Sequence, residues 1–323
     1  MNRFVAFAVA VVLADFPFLQ PAVADSWPAE PIHIVVPFTP GSATDVVARV
    51  VAAAMSRDLG QPVIVENRPG AGGTIGAGKV VRAAPDGYTL LANSSAHTVN
   101  PAIFPDMTFE TRVELRAVTL LAEQPNILIA APSKGWKNAA DFVQAAKAEP
   151  GKLTYATAGT GSGTHMNAEK FRLSAGIGAM HVPYRGTPEA LRDTLNGETD
   201  ICFCPIVAAL PMIRQGRAVA LANGSPRRSS ALPDLSTTEE QGFAGSGYTF
   251  WVGLFAPAGT PRAAIDRLND VAKRALESPE VRERLQAFGA DPSPTTSQDL
   301  ERLVAREIRE NTELARKADI RLQ

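Results

Sequence analysis

Short apolar runs rich in β-branched residues alternate with stretches of helical period along most of this chain, which confines it to the α/β class, with sheets covered by helices. The first unit sets the pattern. Ile32 to Val36 reads as a strand, Phe38-Thr39-Pro40-Gly41-Ser42 as a turn, and Val46, Val47, Val50, Val51, Ala54 and Met55 fall on one helical face. Val63 to Val65 and Tyr88 to Ala92 are further strands, the second ending at Asn93-Ser94-Ser95. From Asn126 the pattern begins again with the strand Ile127 to Ala130 and a helix opened by Asn138 with Asp141 three residues on, a capping-box-like start. Leu153 to Thr157, Met180 to Tyr184, Ile201 to Cys204 and Ala218 to Ala222 follow as strands, with a helix between them capped by Thr187 and stopped by Gly197. The strand order predicts parallel sheets. After the strand Phe250 to Ala256 the period turns helical, with starts at Pro261, at Ser278-Pro279 and at Thr296.

Two such series in 323 residues predict two lobes, each with its own core. The chain then crosses between lobes near 124 and near 250, so that 25–124 and 250–323 make lobe 1 and 125–249 makes lobe 2. Residues 1–24 stand apart as a secretory signal: one cation at Arg3, an apolar run from Phe4 to Leu13 too short to span a bilayer, and Ala22-Val23-Ala24 before the cleavage site. Cleavage after Ala24 leaves roughly 300 residues for export to the periplasm. A formal net charge of −1 offers nothing to nucleic acid or to an anionic membrane, and no later stretch predicts membrane insertion. Cys202 and Cys204 sit two apart in one strand, and neighbours that close bridge only with strain, so both are expected buried and free.

Two glycine-rich turns dominate the chemistry. Pro40-Gly41-Ser42 with Thr44-Asp45 follows one strand, Gly159-Thr160-Gly161-Ser162-Gly163-Thr164-His165 follows another, and each opens a helix. Helix starts carry backbone N–H groups without intrahelical partners and a partial positive charge, so two such turns facing each other make a clamp for an anion. Gly73-Thr74-Ile75-Gly76-Ala77-Gly78-Lys79 imitates a phosphate-binding loop, but Val80 stands where its magnesium-binding hydroxyl belongs. Those glycines read instead as a flexible loop at the rim of the cleft. Ser162 lacks the Gly-x-Ser-x-Gly elbow of a hydrolase, although Ser162, His165 and a distant acid such as Asp200 remain a conceivable catalytic set. His33, His97, His165 and His181 are too dispersed to imply a metal.

The mature chain also resembles a known family, the periplasmic receptors of tripartite tricarboxylate transporters. The resemblance rests on Val36-Pro37-Phe38-Thr39-Pro40-Gly41 with Thr44-Asp45, Val65-Glu66-Asn67-Arg68-Pro69-Gly70-Ala71-Gly72-Gly73 and Ala84-Pro85-Asp86-Gly87-Tyr88-Thr89-Leu90-Leu91. Pro150-Gly151-Lys152-Leu153, His181-Val182-Pro183-Tyr184-Arg185-Gly186 and Ala256-Pro257-Ala258-Gly259-Thr260-Pro261 follow in the family's order. It implies a two-lobed periplasmic-binding-protein fold of type II that closes on a dicarboxylate, a tricarboxylate or an acidic amino acid. It further implies contacts at Phe38, Gly41, Ser42, Asp45, Ser94, Ser95, His97 and Thr98 in lobe 1, and at Thr157, Gly159, Gly161, Ser162 and His165 in lobe 2. Ser42 in place of a second glycine and Arg185 in place of a lysine depart from the family pattern. The expectation is a monomeric receptor without catalytic residues, cofactor or metal, serving membrane permease subunits. The alternatives are a sensor for a membrane kinase and a secreted serine hydrolase.

Overall fold

The computed structural model describes residues 27–104 and 106–320; the expected signal segment lies outside the described residues. The first series comprises β1 (Ile32–Val36), α1 (Ala43–Leu59), β2 (Val63–Asn67), α2 (Thr74–Val81), β3 (Thr89–Ser94), α3 (Ala96–Ile103), α4 (Thr111–Glu114) and β4 (Leu115–Gln124). The second comprises β5 (Asn126–Ala130), α5 (Ala139–Ala148), β6 (Thr154–Thr157), α6 (Gly163–Ala175), β7 (Met180–Pro183), α7 (Thr187–Leu195), β8 (Ile201–Pro205), α8 (Ile206–Arg214) and β9 (Val219–Asn223). The chain returns through β10 (Phe250–Pro257) to α9 (Arg262–Glu277), α10 (Pro279–Ala287), β11 (Asp291–Pro292) and α11 (Ser297–Lys317).

These elements form two sheets, ordered β11-β4-β10-β3-β1-β2 and β7-β6-β8-β5-β9. The expectation of purely parallel sheets is corrected at the strands that arrive from the other lobe: β10 runs antiparallel between β3 and β4, and β5 antiparallel between β8 and β9. The reason is directional. Strands such as β1, β3 and β6 run toward the space between the sheets and deliver their turns there, whereas a strand that enters its sheet from that space must run away from it. Pro125, which has no N–H to donate, separates β4 from β5 at the first crossing. The strands β5, β8 and β10 are buried along their full length, as the centre of a sheet covered on both faces requires.

Each sheet has a core on both faces. Val47, Val51 and Met55 of α1 pack on Ile32, Ile34 and Val36 with Leu268, Val271 and Leu276 of α9. The other face of the first sheet carries Val35, Leu91, Trp251 and Phe255 beneath Leu300 and Val304 of α11, so the tail packs on the first sheet. In the second sheet, Phe142, Phe171 and Phe203 fill one face and Ile127, Ile129, Cys202 and Cys204 the other. The two cysteines, expected free, are joined to each other. Strand alternation sets both side chains on one face, and at 5.5 Å their Cα atoms are within bridging range.

The stretch expected as a flexible rim loop is instead a single 3-10 turn, Ala71–Gly73, running into α2. Glycine serves packing there: a Cβ on Gly76 would stand 2.7 Å from Cβ of Pro37 and 2.9 Å from the carbonyl of Arg68. Lys79 pairs with Glu66 and Val80 is buried, so no phosphate cradle forms. Thr187, expected as a cap, is the first helical residue of α7, and Gly186 precedes it.

Candidate functional site

The two glycine-rich turns face each other across the space between the sheets, each built the same way. Ser42 caps α1 with φ −64° and ψ 158°, and Ser162 caps α6 with φ −68° and ψ 158°. The serine hydroxyl accepts the amide of the residue three positions on, Asp45 at 3.4 Å in the first turn and His165 at 3.2 Å in the second. Gly41 (φ 79°) and Gly161 (φ 77°) occupy the left-handed conformation that turns each strand sharply into its helix.

A narrow cavity of about 10 Å³ lies between the jaws, lined by Phe38, Ser42, Thr44 and Ser94 from one side, Ala158, Ser162, Thr164 and Thr187 from the other, and Phe250 at the crossing. Four helices begin at this cavity: α1 after Ser42, α3 after Ser95, α6 after Ser162 and α7 after Gly186. None of its lining residues, among those described, carries a charge. The positive potential comes from backbone amides, which suit a compact anion and add no side-chain cation to desolvate.

Glycines let the jaws approach this closely. A Cβ on Gly163 would meet Oγ of Ser95 at 2.4 Å and the ring of Phe250 at 2.9 Å; on Gly186 it would meet Oγ1 of Thr39 at 2.1 Å; on Gly161, Cδ1 of Ile103 at 2.1 Å. The hydroxyl of Thr39 reaches Glu189 across the gap at 3.3 Å. These contacts describe a closed arrangement.

Behind the first jaw, the Gly41 amide donates to Oδ2 of Asp45 at 2.9 Å, and Arg49 clasps the same carboxylate from 2.9 and 3.0 Å. Burial would raise the Asp45 carboxyl, but Arg49, the Gly41 amide and Asn67 outweigh it and hold it below its ordinary range. Behind the second jaw, the Gly161 amide donates to Nδ1 of His165 at 3.2 Å, and the His165 ring stacks on His181 with centroids 3.9 Å apart. Nε2 of His181 lies 2.6 Å from Oγ1 of Thr157, which accepts the Gly159 amide. Burial, then Arg172, brings His165 down to about 4; burial, then His165, brings His181 down to about 3. Both rings are neutral at physiological pH.

Of the residues singled out from the sequence, Phe38, Ser42, Ser94 and Ser162 line the cavity, Gly41, Gly159 and Gly161 shape its turns, and Asp45, Thr157 and His165 brace those turns from behind. Ser95 packs at the closure contact with Gly163. His97 and Thr98 are not brought to the cavity. His97 stacks on Phe255 at 4.0 Å beside a separate cavity with Thr111 and Arg112, and Thr98 bonds Glu307 and Asn311 of α11. Nor does a catalytic set assemble: the His165 ring is engaged by Gly161 rather than Ser162, and Asp200 is held by Lys134 and Thr154. Sequence reasoning missed Phe250, Thr187, Thr164 and the stack of Tyr155 and His181, although Thr44 and Thr164 take the same place in the two turns.

Comparison with known proteins matches this architecture. The model of the tripartite tricarboxylate transporter family receptors, TctC, fits residues 47–320. A UPF0065 protein of Bordetella pertussis is 37% identical over 284 residues, 88% of either chain. Among solved structures, MatC of Rhodopseudomonas palustris with bound malate shares 34% identity at a TM-score of 0.85, covering 89% of this chain and 99% of that one. An R. palustris protein solved with adipate shares 31% at a TM-score of 0.88, covering 92% and 100%. Sequence kinship along nearly the whole chain and the shared two-sheet architecture lead to one assignment: this protein belongs to the tripartite tricarboxylate transporter receptor family, the TctC-type periplasmic solute-binding receptors.

Proposed function

We propose that this receptor closes on a small carboxylate and delivers it to a membrane permease. The observation that carries the reading is the convergence of four helix starts on a cavity without a charged side chain, an arrangement that favours an anion held by amides and hydroxyls. The malate and adipate held by the similar structures support a carboxylate. Phe38, Ser42, Ser94 and Ser162 contact the ligand, the turns at Gly41, Gly159 and Gly161 present the amides, and Asp45, Thr157 and His165 keep those turns in place. The lobes, 25–124 with 250–323 and 125–249, rotate about the crossings near 124 and 250. The protein is exported with Asp25 as its first residue, acts as a monomer and catalyses no reaction. A transporter family favours a permease over a sensor kinase as the partner.

Mass spectrometry of small molecules carried through native purification identifies the ligand class, and calorimetry with a carboxylate panel and the matching neutral esters tests the anion reading. The ester binds at least about tenfold more weakly than the acid, a loss of roughly 1.4 kcal/mol, and only the acid compacts the molecule in small-angle scattering. Ser162→Ala costs about 1–3 kcal/mol of binding through the lost polar partner. Equal affinity and equal compaction for acid and ester would sink the anion reading.

A further inference from the structure

The jaws share one design. Gly41-Ser42-Ala43-Thr44-Asp45 and Gly161-Ser162-Gly163-Thr164-His165 share the glycine in the left-handed conformation, the serine cap, the threonine and a fifth residue whose side chain accepts the amide of the first. They differ in the charge of that fifth residue. In the first jaw it is a carboxylate, and Arg49, four residues further along α1, neutralises it with two contacts while Asn67 donates to it at 2.9 Å. In the second jaw the position equivalent to Arg49 holds Glu169, so a carboxylate at 165 would stand one helical turn from a like charge. The chain places an imidazole there instead. Nδ1 accepts the Gly161 N–H and therefore bears a lone pair, which sets the ring's proton on Nε2 and leaves it uncharged. The groups facing it are His181 from β7, Tyr155 from β6, and Arg172 and Glu169 from α6, the last two joined in an ion pair with contacts of 2.6 and 2.9 Å.

We propose that His165 is a positioning residue that determines how the ligand's charge is oriented: as a neutral acceptor it holds the second turn in the shape the carboxylate gives the first, and leaves the start of α6 free to take the ligand's anionic group. The inference rests on the reading of the cleft as an anion site. A carboxylate in the same place would brace Gly161 equally well but would set a negative charge behind the amides, opposing the helix start's partial positive charge. Burial keeps the ring neutral well below neutral pH, so the acceptor persists through the working range.

The test is calorimetry of the intact protein with malate and with adipate, comparing wild type, His165→Asn and His165→Asp, with the amide resonance of Gly161 reporting the turn. His165→Asn keeps a neutral acceptor and binds within about threefold of wild type, whereas His165→Asp preserves the Gly161 resonance yet loses at least about tenfold, as a like charge near the anion requires. If both variants bind like wild type, the charge at 165 has no role. If both lose affinity alike while the turn persists, His165 acts through its ring stack, and the proposal is overturned. If wild type takes neither diacid nor any other carboxylate of the panel, the anion reading itself fails and the charge argument falls with it, an outcome distinct from the two before.

Discussion

At Gly163 a single added methyl group would stand between the two lobes where they meet. It occupies the first position of α6 with ordinary helical geometry, so alanine is compatible with the backbone and has the higher helix propensity. Across the gap, however, that methyl would meet Ser95 and Phe250 at 2.4 and 2.9 Å, distances real Cβ atoms do not tolerate. Gly163→Ala therefore leaves the thermal midpoint within about 2 °C of wild type while weakening the carboxylate by tenfold or more, because only the closed state clashes. Calorimetry and a melting curve on the same sample separate the two effects; a variant that binds normally would show that closure does not bring these atoms together. Ser95 also illustrates what a sequence hides. Its hydroxyl is fully buried beside Tyr248, and only the tertiary structure shows that lobe 2 presses against it through Gly163.

At the scale of elements, α2 shows tertiary packing overruling local propensity. Three glycines within Gly73 to Gly78 argue for a loop, yet the helix forms because small residues there let it lie directly on Pro37 and the carbonyl of Arg68. Replacing Gly76 by alanine raises helix propensity by about 1 kcal/mol but forces the contact apart, so the net result is a loss of about 1–3 kcal/mol in stability. Urea unfolding decides the sign, and a stabilised variant would mean that the contact has slack. Where caps were readable, by contrast, the elements follow the residues closely. Asn138, Ser278 and Thr296 each accept the amide three residues on, as their place before a helical period implies.

For the molecule as a whole, burial of uncharged histidines links folding to pH. His97, His165 and His181 are held down to about 3, 4 and 3, each first by burial, so each contributes stability in full above its unfolded value near 6.5 and loses it as pH falls toward the folded value. Glu307 runs the other way. Burial raises it to about 7 despite donors from Trp251 and Thr98, so its contribution is present below about 4.5 and lost as pH rises through 7. The three histidines outweigh Glu307 together with Glu123 and Asp291, which burial raises less far, so between pH 6.5 and 4.5 the unfolding free energy falls with acidification, by at most about 1.4 kcal/mol per pH unit for each histidine. Chemical denaturation from pH 7 to 4 measures the slope, Glu307→Gln steepens it, and a flat profile would show that the histidines titrate as they do in the unfolded chain.

Much of this was legible in the chain itself, because it depends on neighbours in sequence. Strand and helix periods, caps, and the two turns opening α1 and α6 are local properties, and they were enough to indicate two α/β lobes and a pair of helix starts suited to an anion. What lay beyond reach depends on residues far apart in the chain. The reversed direction of β5 and β10 follows from which side of a sheet a strand enters. The bond between Cys202 and Cys204 is the exception, since it joins residues two apart and follows from a local Cα spacing that alternation alone does not specify. His97, two residues beyond Ser95, turns toward Phe255 because α3 presents one face to the cleft and another to its own lobe, while His181 and Phe250 reach the site from strands whose sequence neighbourhood carries no sign of it. The residue types determined that amides and hydroxyls would be offered at the two turns; the packing of one lobe on the other decided which of them meet, since burial and closure distance are set by the whole molecule at once.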